Sequence, residues 1–278
     1  MIDLGMHRML SKWEYNRVKR EKLEKQFKNY SGYFDVVEMH LPYTYFNFLE
    51  EMMESAYKRR EPKILVINGD SINLDVFSVF YKRSSDISTP DKEIDMLIKV
   101  LKVAQTVYDK IIFIPTNHEA RLEKVISRNM PERVITEQLL KRMRTLEDEF
   151  IENKLNKLIC TNTPMIQIGD VLCCHMESNS GKPGNLSSSL IQYLMPRVKD
   201  WSVAYQSHSH TQSKISVDCK TIIETGCLAD SLDYWISNWK MFGKGKFSTI
   251  GYAYGSMDNG KALLNKCDYH ICKWQGRI

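Results

Sequence analysis

Lys63-Ile64-Leu65-Val66-Ile67-Asn68-Gly69-Asp70 is the stretch on which the fold turns. Its centre is a short aliphatic run with no polar alternation, the pattern of a strand covered on both faces. Gly69 frees the backbone to turn, and Asp70 puts a carboxylate just past the strand end. The same design recurs downstream. Lys110–Pro115 is another apolar run, and it ends in Thr116-Asn117-His118-Glu119. Between the two, Thr89-Pro90-Asp91 opens a helix expected over 91–108. Upstream, an extended run from Tyr33 to Met39 is closed by His40-Leu41-Pro42, and a helix is expected at about 43–60. Strand, helix, strand, helix, strand implies an α/β sheet with parallel strands. The polar punctuation falls at the carboxyl ends of those strands, the edge where open α/β sheets bind ligands.

Beyond residue 164 the pattern changes. Met165–Ile168 and Val171–Cys174, joined by Gly169-Asp170, read as a hairpin, and β-like runs follow at 201–206, 214–217, 220–225, 247–254 and 263–273. This half predicts a second sheet. Residues 6–31 read as a basic helix with Leu10, Trp13, Val18, Leu23 and Phe27 on its apolar stripe, so residues 1–32 are expected to pack on a single domain spanning 33–278. Residues 119–158 form a charged helical stretch broken at Met130-Pro131, an insertion that reads as a solvated helical pair, with an active-site cap as the alternative. Lys182–Ser189, within a Gly- and Ser-rich run, is expected to be a mobile loop.

Composition sets outer bounds. The 278 residues are 43% hydrophobic and 26% charged, which is ordinary for a globular chain. No apolar run approaches the ~20 residues of a membrane helix, and the opening residues lack the apolar core of a secretory leader. A cytoplasmic protein without a membrane partner is the expectation. Seven cysteines, none in a CxxC pair, argue against a disulfide framework and for buried free thiols. Cys173 and Cys174, adjacent on a strand, should face opposite ways. A net charge of +5 permits a polyanionic partner without demanding one.

Histidine carries the chemical signal. His7 and His270 lie near the termini, and the other five histidines sit at strand ends beside further ligand-type residues. Glu38-Met39-His40 sets a carboxylate and an imidazole two residues apart, on one face if extended. His175 closes the run Val171–Cys174, and Ser207-His208-Ser209-His210 offers two more imidazoles at the same spacing. Each block alone has an ordinary structural explanation: a turn at Gly69-Asp70, a helix cap at Asn117, a core histidine at His175.

In order the blocks read Glu-x-His, Gly-Asp, Asn-His-Glu, His, His-x-His, over residues 38–210. That order resembles the signature of the calcineurin-like metallophosphoesterases. The resemblance implies an α/β fold of two packed mixed sheets flanked by helices. It implies two divalent ions, with Glu38, His40 and His210 on the first, Asn117, His175 and His208 on the second, and Asp70 bridging. Manganese is the expected metal, with Fe, Zn, Co and Mg as alternatives. In such a centre a metal-activated hydroxide attacks phosphorus while Asp70 and Asn117 hold the ions. His118 would protonate the leaving oxygen, and Glu119 would be a structural acid.

The sequence departs from the pattern at four places. Glu38 stands where the family has Asp, carrying the carboxylate outward by roughly one C–C bond, ~1.5 Å. Thr116 and Ser207 replace glycines. The acid that the family sets three residues beyond Gly-Asp is here Asn73, with Asp75 two residues further as a substitute. For substrate, the positive charge, the basic segments and Lys182 with Asn185 favour a phosphodiester of nucleic acid or nucleotide. Arg121 and Lys182 are candidate phosphate contacts. A phosphomonoesterase, including a phosphoprotein phosphatase, and a catalytically weak binding scaffold are the alternatives. A nucleic-acid-binding protein with structural zinc is disfavoured, because such sites collect four ligands, often cysteines.

Overall fold

The computed structural model describes residues 20–78, 88–129, 145–161, 163–176, 185–229 and 249–272. Residues 1–19 of the expected N-terminal helix, 130–144 of the insertion, and Lys182 lie outside the described residues.

The strand-forming runs build two sheets. The first contains β1 (Gly32–Val37), β2 (Lys63–Asn68), β3 (Lys110–Ile114), β4 (Leu158–Cys160), β10 (Gly251–Asp258), β11 (Lys261–Ala262) and β12 (Asp268–Ile271). Its order is β11-β10-β1-β2-β3-β4, with β12 also paired to β10. β1 to β4 are parallel, and β10 runs antiparallel to β1, so the sheet is mixed. The second sheet, β5-β6-β7-β9-β8, is built from β5 (Met165–Ile168), β6 (Val171–Cys174), β7 (Val203–Gln206), β8 (Gln212–Val217) and β9 (Lys220–Thr225), and is also mixed.

Alternation along the strands decides what each face covers. Phe34, Val36, Ile64, Val66, Ile112 and Ile114 point into the space between the sheets, where they meet Ile166, Ile168, Cys173, Val203, Tyr205 and Ile223. Residues 20–26 are helical (α1), and Leu23 and Phe27 also bury into this layer. Tyr33, Val37, Leu65, Ile67, Ile111 and Phe113 point the other way, against α2 (Phe46–Tyr57), α3 (Pro90–Val107) and α5 (Leu146–Glu152). α4 (Arg121–Asn129) follows β3. On the far side of the second sheet, Leu172, Cys174, Ala204 and Ile222 pack under α6 (Asn185–Leu194) and Trp201. The result is two mixed sheets flanked by helices, as expected. Cys173 and Cys174 do face opposite layers.

Local expectations are corrected at two places. The runs at 247–254 and 263–273 do not join the second sheet: β10, β11 and β12 belong to the first, where β10 pairs antiparallel with β1. Asn185–Ser189 is the start of α6, not loop, because Leu190, Ile191 and Leu194 recur at helical spacing and bury on the sheet. The described part of the charged stretch 119–158 holds two helices, α4, which ends at Asn129 just before the expected break, and α5; what the sequence did not announce is β4, three residues that pair with β3. The cysteines follow expectation: all seven are free and most are buried, with Cys160 and Cys272 half-buried and Cys219 exposed in the β8–β9 turn. Among the described residues no helix is long and apolar enough to cross a membrane.

Register then places the chemistry. Val37 lies opposite Ile67, and Ile67 opposite Phe113, so β1, β2 and β3 end level. Cys174 lies opposite Gln206 in the second sheet. The segments after these strands therefore leave the two sheets side by side.

Candidate metal centre

At this shared edge Asn68, the last residue of β2, joins the sheets. Its Nδ2 donates to the Cys174 carbonyl at 2.8 Å and to Ser207 Oγ at 2.9 Å. The Asn68 carbonyl lies 2.8 Å from His175 Nδ1, which turns Nε2 of that ring toward Asp70 at 3.4 Å. Gly69 has φ +86°, and a Cβ there would strike the His175 ring and Thr116. Only glycine fits that turn.

Two groups of side chains result. Glu38, His40, Asp70 and His210 bring ligand atoms within 4.8 Å of one another, as do Asp70, His175 and His208. His40 Nε2 is 2.7 Å from Glu38 Oε1 and 2.9 Å from His210 Nε2, and His210 Nε2 is 3.0 Å from Glu38 Oε1. In the other group, His208 Nδ1 is 3.2 Å from His175 Nε2. Asp70 belongs to both.

The sequence-based reason for these pairings is corrected. Glu38-Met39-His40 and His208-Ser209-His210 follow their strands and are not extended. His40, Asp70, His208 and His210 all have positive φ, at 60°, 44°, 81° and 56°. That backbone sends His208 toward His175 and His210 toward Glu38, so the pair divides between the two groups. Left-handed backbone at non-glycine residues costs roughly 1–2 kcal/mol each and gathers at functional sites.

The donor set fits divalent cations. Ligand atoms ~2.1 Å from an ion at right angles stand about 3 Å apart, the spacing found here. Two buried imidazoles, two half-buried ones and two buried carboxylates form the mixed nitrogen and oxygen set of a transition metal. Asn117, in the turn after β3, has a buried Oδ1 with no hydrogen-bond partner among the described residues. Burial works to raise the Glu38 and Asp70 carboxyls. The imidazoles outweigh it and hold both below the usual carboxylate range, His210 and His40 at Glu38, and His118, His175 and His40 at Asp70.

Around this centre lie residues that sequence reasoning undervalued. The Thr116 hydroxyl donates to Asp70 Oδ1 at 2.6 Å. Glu119 accepts from the Ser71 amide and hydroxyl, each at 2.7 Å, and from the Thr116 amide at 2.9 Å, so it is a structural acid. Glu93 reaches from α3 to the amides of Asn73 and Leu74 at 2.9 and 2.6 Å. Asn73 Oδ1 faces His40 Nδ1 at 3.3 Å.

His118 Nε2 lies 3.7 Å from Asp70 Oδ2 and accepts a 2.7 Å hydrogen bond from Arg121 Nη2. Arg121 Nη1 is held by the Asn73 carbonyl and by Asp75 Oδ1 at 3.3 Å, and Tyr43 donates to Asp75 Oδ2 at 2.9 Å. Asp75 thus acts on His118 through Arg121, not directly. Burial lowers the pKa of His118 well below the ordinary histidine value. Asp70 opposes that shift, while His40 and Arg121 reinforce it.

Neither a family model nor a curated protein matches the sequence. Among solved structures the chain is similar to a Vps29 mutant from Entamoeba histolytica, at 10% identity over 86% of this chain and 98% of that one, with a TM-score of 0.42. It is also similar to an archaeal phosphodiesterase, at 10% identity over 86% and 99% of the two chains, with a TM-score of 0.41. A third is vacuolar protein sorting 29 from Cryptosporidium parvum, at 11% identity over 87% and 98%, with a TM-score of 0.41. In the order of its ligand blocks, in its two packed mixed sheets and in the convergence of those blocks at one shared edge, the chain resembles the calcineurin-like metallophosphoesterases.

Proposed function

We propose that the protein is a dimetal-dependent phosphoester hydrolase, with phosphodiesters of nucleic acid or nucleotides as its preferred substrate class. One observation carries this reading: two groups of metal-ligating side chains share Asp70, with His118 beside that same carboxylate. Glu38, His40, Asp70 and His210 would hold one ion; Asp70, Asn117, His175 and His208 would hold the other. A bound pair of divalent ions supplies positive charge for phosphoryl oxygens and lowers the pKa of water.

The chain's own residues supply the rest. Asp70, fixed by Thr116, sets the spacing of the two groups. His118 is the proton donor for the departing oxygen. Because Arg121 donates to Nε2, the proton of the neutral ring sits on Nδ1, which is buried and has no partner among the described residues. Arg121 is itself a candidate contact for a phosphoryl oxygen, once drawn from His118. Lys182, outside the described residues, stays a proposal from sequence. The positive net charge supports a polyanionic substrate.

A binding scaffold is favoured by one observation: the guanidinium of Arg121 and burial keep His118 neutral, which opposes proton donation. Turnover of bis-p-nitrophenyl phosphate and p-nitrophenyl phosphate with added manganese separates the readings. The hydrolase reading expects manganese-dependent turnover, faster on the diester, and a loss of about 10²–10⁴-fold in His118→Asn with metal content retained. Two bound ions with no turnover on either ester would establish the scaffold instead.

A further inference from the structure

Glu38 does more than face the first group. Its Oε1 meets His40 and His210, whereas its Oε2 accepts the backbone N–H of His208 at 2.7 Å. His208 contributes its side chain to the second group and has φ +81°, a conformation a non-glycine residue does not hold without support. One buried carboxylate therefore spans both groups: one oxygen on ligands of the first, the other on the main chain of a ligand of the second. The longer side chain makes this possible. On the same backbone an aspartate would fall short by about 1.5 Å of holding both His40 with His210 and the His208 amide.

We infer that Glu38 is a positioning residue for the second cation as well as a ligand of the first, coupling the two sites through the His208 backbone. This rests on the dinuclear reading above. Hydrogen-bonding partners of metal ligands typically change affinity by 10–100-fold when removed. The second site should therefore weaken when Glu38 is cut back, although Glu38 is not one of its ligands.

Manganese binding to metal-stripped protein, by equilibrium dialysis and elemental analysis, tests this without reference to turnover. Wild type should take up two ions per chain. Fewer than two would end the dinuclear reading itself, before any variant is compared. His210→Ala removes a ligand of the first group only and leaves the Glu38–His208 bond, so it should keep one ion with wild-type affinity. Glu38→Asp and Glu38→Ala should hold that remaining ion at least about 10-fold more weakly. Glu38→Gln, whose carbonyl oxygen can still accept from His208, should hold it as tightly as His210→Ala does. If Glu38→Asp and Glu38→Ala retain the second ion at the affinity of His210→Ala, the coupling is refuted.

Far-UV circular dichroism checks that each variant folds. A measurement on the wild type decides if neither Glu38→Asp nor Glu38→Ala does. In metal-stripped, ¹⁵N-histidine-labelled protein the half-buried His208 amide should be protected from hydrogen exchange by its bond to Glu38. Exchange as fast as that of an exposed loop would overturn the inference.

Discussion

Thr116 and Asp70 are bound twice: the threonine hydroxyl donates to Asp70 Oδ1 at 2.6 Å and accepts the Asp70 amide at 3.0 Å. The carboxylate shared by both ligand groups is thereby fixed in direction. Thr116→Val keeps the shape and removes both bonds. Manganese affinity is expected to fall about 10-fold or more, with Thr116→Ser close to wild type. Dialysis against graded manganese reads this directly. Equal affinity in the valine variant would show that Asp70 needs no such tether.

Gly69→Ala is expected to be among the most damaging single-methyl additions in the chain. Positive φ alone costs roughly 1–2 kcal/mol, and the new Cβ would drive into the His175 ring. The thermal midpoint should drop, and the metal-stripped protein should show a loss too, because the overlap is steric and exists without an ion. A denaturation curve within error of wild type would contradict the turn geometry.

The ligand blocks were legible in the sequence because each interrupts an apolar run: Asp70 after Lys63–Asn68, Asn117 after Lys110–Ile114, His175 after Val171–Cys174. The strands were legible for the same reason, but not their sheet: β10 pairs with β1 across a long stretch of chain, and β11 and β12 pair with β10, which no local pattern records. What escaped was tertiary. In the sequence Thr116 and Ser207 are only departures from glycine, yet the Thr116 hydroxyl donates to Asp70 and the Ser207 hydroxyl accepts from Asn68. Nothing near Glu93 or Arg121 in sequence announces that they brace the loop at Asn73. His208 and His210 would share a face only on extended backbone, and their positive φ divides them. β4 is too short for periodicity to register.

Asp35 gives a pH test independent of the metal centre. Its carboxyl projects from β1 and is fully buried, accepting from Tyr33 at 2.6 Å and Tyr108 at 2.7 Å, and burial raises its pKa to about 7, partly offset by those two phenols. The folded state thus holds a proton that the unfolded chain releases near pH 4. With the folded value the higher one, its contribution is complete at low pH and is lost as pH rises through about 7. The loss amounts to at most about 4 kcal/mol. Asp35→Asn should flatten this part of the profile. Urea melts at pH 5 and pH 8 would show it as a smaller difference in the variant, and an unchanged difference would assign the slope elsewhere.

If the substrate is a nucleic acid, binding to short single-stranded and duplex DNA in calcium, without turnover, should weaken steeply with salt, because each phosphate contact releases counterions. A flat response beside fast hydrolysis of p-nitrophenyl phosphate would turn the assignment toward monoesters.

The ligands come from opposite walls of the molecule. Glu38, His40 and Asp70 follow strands of one sheet, and His175, His208 and His210 follow strands of the other. Any ion accepted at this edge is therefore a rivet through the seam, tying together stretches of chain more than a hundred residues apart. Chelation would act on this protein much as a reductant acts on one stapled by disulfides: it would take away a cross-link along with a reagent.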